Sequence, residues 1–128
     1  MPQLPAFPSV FPVWWVGLTA FAGVLASLAV LALWGRITHS KEPTREHTVL
    51  LALVVGLSIF AWRLSGNIPE LNDDPIGALS PNDWLCPAIT YLFLSVYGAF
   101  TMPASAVSWV KVRGLLTITS FAVNVVTI

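Results

Sequence analysis

The chain has 128 residues, 56% of them hydrophobic and 9% charged, and six Lys and Arg balance six Asp and Glu to a formal net charge of zero. Too little polar surface remains for a soluble domain of this size, and the charge balance excludes a nucleic-acid footprint, which needs clustered cations well in excess of acids. A single cysteine, Cys86, excludes an internal disulfide, a CxxC redox pair and a Cys-rich metal site.

Residues 1–12 hold Pro2, Pro5, Pro8 and Pro12, which remove backbone donors and forbid a regular helix, so an extended arm is expected. The arm has no Lys or Arg and does not read as the start of a signal peptide. The uncharged run 13–34 (VWWVGLTAFAGVLASLAVLALW) follows. At about 1.5 Å per residue it is long enough to cross a hydrocarbon core about 30 Å thick. Trp14 and Trp15 at one end and Trp34 at the other mark the two headgroup levels. Ala22, Gly23, Ala26 and Ser27 form a ridge of small side chains on which another helix can pack closely.

The loop 35–47 (GRITHSKEPTREH) contains Arg36, Lys41 and Arg45. The positive-inside rule therefore places it on the cytoplasmic or equivalent side. Gly35 is placed to end the first helix, and Pro43 or Thr44 to begin the second. His39 and His47 flank Glu42 and Glu46 here, but Pro43 breaks helical continuity and three cations interleave, so no metal site is expected. The second helix, 48–64, reaches a spanning length only if Arg63 snorkels to the far surface, where it would pair with Glu70, Asp73, Asp74 or Asp83.

Those four carboxylates belong to the acidic outer loop 65–83, whose Pro69, Pro75 and Pro81 keep it irregular. Its end, Ser80-Pro81-Asn82-Asp83, reads as a capping box with proline at the first helical position, feeding a third helix at 84–102. Pro87 falls in the first turn of that helix, and Tyr91 and Ser95 lie on one face. Lys111 and Arg113 return the chain to the positive side, with Trp109 as an interface anchor. The last run, 114–128, is short for a straight span. Its polar stripe of Thr117, Ser120, Asn124 and Thr127 should face inward, because an unpaired Asn in lipid is costly.

Long uninterrupted apolar runs specify helices rather than alternating strands. The expectation is an all-α integral membrane protein, a compact bundle of four transmembrane helices with a short fourth, and both termini outside. The lipid bilayer is the first partner, and other membrane subunits or further copies of the chain the next. No motif names a cofactor or a reaction. Three functions fit: an accessory or assembly subunit of a larger membrane complex, a homo-oligomeric small-solute transporter or channel, and a membrane enzyme on a lipophilic substrate. For the enzyme, no nucleophile and base can be placed within reach of each other from sequence.

Overall fold

A computed structural model describes residues 12–39, 45–66, 81–101 and 107–127. These residues form α1 (Val13–Thr38), α2 (Arg45–Ser65), α3 (Pro81–Thr101) and α4 (Val107–Thr127). All four are long and apolar enough to cross a membrane. Each helix packs on the next, α4 packs back on α1, and α2 touches α4 across the centre, so the ring of helices is closed. The Trp15 indole donates to the Thr127 carbonyl at 3.1 Å, tying the first turn of α1 to the last turn of α4. The protein is an integral membrane four-helix bundle.

Burial is inverted relative to a soluble bundle. Phe21, Leu25, Leu53, Leu92, Phe100, Ile118 and Val126 are exposed, whereas Thr19, Ser58, Arg63, Asp83, Thr90, Ser120 and Asn124 are buried. Lipid tails solvate the apolar exterior as well as a protein core would, so close packing and interhelical hydrogen bonds hold the helices together.

Helix limits differ from the sequence expectation at several points. α1 runs past Gly35 to Thr38 and ends on His39, whose left-handed backbone (φ 54°, ψ 26°) makes the turn expected of the glycine. Histidine is among the residues that tolerate this region best. α2 begins at Arg45. α3 begins at Pro81, as its first-turn signature requires, which places Pro87 in the second turn rather than the first. α4 is the largest departure: it begins at Val107 and spans 21 residues, so it is not short. Lys111 and Arg113 are compatible with a helix, and the last apolar run extends backwards through them. The N-terminal arm, Lys41, Glu42, Pro43, Thr44, Ser80 and the carboxylates Glu70, Asp73 and Asp74 lie outside the described residues.

Two glycines set the helix spacing. A Cβ on Gly23 would lie 2.5 Å from Ile59 Cδ1, so α2 packs directly on the small-residue ridge of α1. Gly23 and Ser27 are buried and Ala22 and Ala26 are half-buried against the core, so this surface is used within the chain. On the other side of the bundle, a Cβ on Gly98 would lie 2.5 Å from Trp109 Nε1. Trp109, 6% exposed, is therefore a packing residue rather than an interface anchor. It sits in the first turn of α4 and its indole fills the space a side chain at Gly98 of α3 would take.

Candidate functional site

At one end of the bundle α2 and α4 terminate and α3 begins, and a charged cluster joins the three helices. Arg63 Nη2 donates to Asp83 Oδ1 at 2.9 Å, and Arg63 Nε donates to Asn124 Oδ1 at 2.6 Å. The ion pair is enclosed, with side chains 1% and 4% exposed. Arg63 stands in the last turn of α2 and Asp83 in the first turn of α3. Each charge thus faces the complementary end of its own helix dipole as well as its partner. The guanidinium turns inward to this pair and does not snorkel to the surface, because Asp83 and Asn124 meet its charge and donors inside the bundle.

A second set of contacts locks the same corner. Trp62 Nε1 donates to Asn82 Oδ1 and Asn82 Nδ2 donates to the Gly66 carbonyl, both at 2.8 Å. The end of α2 and the start of α3 are thereby held together by consecutive residue pairs, Trp62–Asn82 and Arg63–Asp83.

From the cluster a hydrogen-bonded ladder descends along the helix axes. Asn124 Nδ2 donates to the Ser120 carbonyl at 2.7 Å and lies 3.4 Å from Ser120 Oγ. Ser120 Oγ is 2.8 Å from Thr90 Oγ1, which is 2.8 Å from Ser58 Oγ, and Ser58 donates to the Val55 carbonyl at 2.7 Å. If each hydroxyl donates to the next, from Ser120 through Thr90 and Ser58 to Val55, every donor is used. Ser58 lies five residues before Arg63 on α2, so the ladder covers roughly 7.5 Å of depth and stops well short of crossing the bilayer. The buried Cys86 lies beside it, one turn before Thr90, whose hydroxyl is 3.2 Å from the Cys86 carbonyl.

The remaining residues of the polar stripes are placed separately. Thr127 Oγ1 lies 3.2 Å from Thr19 Oγ1 and donates to the Val123 carbonyl, while Thr117 donates to the Arg113 carbonyl within its own helix. Tyr91 and Ser95 face α4 lower down: Arg113 Nη1 donates to Ser95 Oγ at 3.3 Å, and the guanidinium carbon sits 4.5 Å from the Tyr91 ring centre. His47 Nδ1 meets the Tyr97 hydroxyl at 2.6 Å. His47 is sixteen residues from Arg63 on α2, roughly 24 Å along the axis. The groups an enzyme would use are thus divided between the two ends of the bundle. Among the described residues no group of three or more His, Cys, Asp or Glu is arranged to hold a metal ion.

Ser58, Thr90, Trp62 and Asn82 were not singled out from sequence. For Thr90 the signal was present: Asp83, Cys86, Thr90, Leu94 and Gly98 recur at spacings of three and four and form the buried stripe of α3. No protein-family model matches the chain, and no curated protein or solved structure matches it.

Proposed function

We propose that the chain is an accessory or assembly subunit of a larger membrane complex, with packing rather than catalysis as its work. One observation supports this reading most. Arg63, Asp83 and Asn124, the polar groups best suited to bind or react, are joined to one another at 2.6–2.9 Å and enclosed by three helices. A charged cluster so paired fixes the register and order of helices, and it leaves the apolar outer faces as the surface offered to lipid and to other chains. The orientation that accompanies this reading puts both termini outside and the loop 35–47 with residues 111–113 on the cytoplasmic side. Among the described residues that end carries Arg36, Arg45, Lys111 and Arg113 against Glu46.

The test is the native mass and partner content of the protein, extracted in mild detergent at its normal expression level. A large assembly holding other chains in fixed stoichiometry is expected; a particle containing this chain alone overturns the reading.

A further inference from the structure

Arg113 differs from Arg63 in being poorly satisfied. A guanidinium has five N–H donors, yet among the described residues Arg113 has one hydrogen bond, the long 3.3 Å contact to Ser95, and a stacking contact with Tyr91. Its Nε is enclosed and has no acceptor among the described residues. The Ser95 hydroxyl donates to the Tyr91 carbonyl at 2.7 Å and offers the guanidinium only a lone pair, at long range.

Arg113 also belongs to the apolar helix α4, near its headgroup end: it lies six residues after the helix begins at Val107, roughly 9 Å along the axis. Arginine at such depth pairs with an acid or draws headgroups and water inward. Among the described residues no carboxylate contacts it. Tyr91 is 40% exposed and Ser95 and Arg113 are half-buried, so the groove between α3 and α4 is open to the lipid at this point.

The geometry points to a headgroup site for an anionic phospholipid at Arg113, with Tyr91 and Ser95 as its floor. The phosphate accepts two parallel hydrogen bonds from the Nε and Nη2 edge of the guanidinium once the side chain turns outward from Tyr91, replacing one long bond with the fork geometry that suits phosphate best. A lipid phosphate is favoured over a partner helix's carboxylate by position. Arg113 lies within reach of the headgroups at its own end of the bundle, and exposed Arg36, Arg45 and Lys111 at that end raise the local concentration of anionic lipid.

The experiment uses the full chain in neutral detergent, with thermal unfolding and native mass spectrometry read against added phosphatidylglycerol, phosphatidylcholine or inorganic phosphate. Phosphatidylglycerol should raise the unfolding temperature and remain bound in the gas phase, with phosphatidylcholine and phosphate giving neither effect. Arg113→Ala should weaken retention about ten-fold or more. Arg113→Lys, which keeps the charge and loses the fork, should weaken it several-fold, and Arg45→Ala, which removes one exposed charge from the same end, should weaken it less than Arg113→Ala does. Equal unfolding temperatures with all three additives overturn the proposal, and this arm needs only the wild-type chain should Arg113→Ala fail to fold. A shift reproduced by inorganic phosphate, or retention of phosphatidylglycerol unchanged in Arg113→Lys, also overturns it. So does loss of a co-purifying chain in Arg113→Ala at unchanged lipid retention, which would assign Arg113 to a partner's carboxylate.

Discussion

Replacing Asp83 by Asn breaks the buried ion pair with Arg63 while keeping nearly the same shape. Breaking a buried ion pair from one side costs about 3–5 kcal/mol in soluble proteins, and a loss of about 3 kcal/mol is expected for Asp83→Asn. Arg63→Met should cost about the same, because it strands Asp83 and takes the donor from Asn124 Oδ1. The double variant Arg63→Met/Asp83→Leu removes both charges together. What remains is the unpaired Asn124 oxygen, about 1 kcal/mol, so the double variant should be several kcal/mol more stable than the sum of the single costs. Reversible unfolding in bicelles, followed by helix content for all four proteins, measures this coupling. If the double variant loses the sum of the single losses to within about 0.5 kcal/mol, the two charges act independently and the reasoning fails.

Three further outcomes follow from the packing. Gly98→Ala drives a methyl group into the Trp109 ring and should cost about 1–3 kcal/mol, whereas Gly23→Ala meets only the flexible tip of Ile59 and should cost less; equal losses in the same unfolding assay would refute the assignment. Ser27 Oγ is buried with no hydrogen-bond partner among the described residues, so Ser27→Ala should leave stability unchanged or raise it by about 1 kcal/mol, and a measured loss would reveal a missed contact. Thr90→Val removes two interhelical contacts, yet such bonds average only about 0.6 kcal/mol in a membrane, so a loss near 1 kcal/mol is expected and one near that of Asp83→Asn would promote the ladder above the ion pair.

Element type was legible in the sequence because charge-free runs of spanning length allow only one backbone solution in lipid. The pairing of Arg63 with an acid beyond its helix was legible too, and Asp83 was among the four acids named. Its depth was not. Snorkelling assumes that no internal partner exists, and the Asn124 oxygen comes from a helix sixty-one residues away, which no local pattern can bring near. The start of α4 was missed for a related reason. Lys111 and Arg113 interrupt hydropathy but not helix geometry, and what holds that turn in place is Trp109 on Gly98, a contact between helices. The small-residue ridge of α1 was legible as a contact surface, whereas its partner, α2 of the same chain, became known only from packing.

Under the proposed function, the charged cluster is a strut and not a site. The most direct measurement compares wild type with Arg63→Met/Asp83→Leu by native mass and partner content after mild extraction. The double variant should fold and remain in the same assembly at the same stoichiometry, because two apolar side chains of similar volume fill the same three-helix corner. A double variant with wild-type helix content and stability that no longer assembles, or whose assembly has lost its activity, would contradict it and make Arg63 and Asp83 working groups.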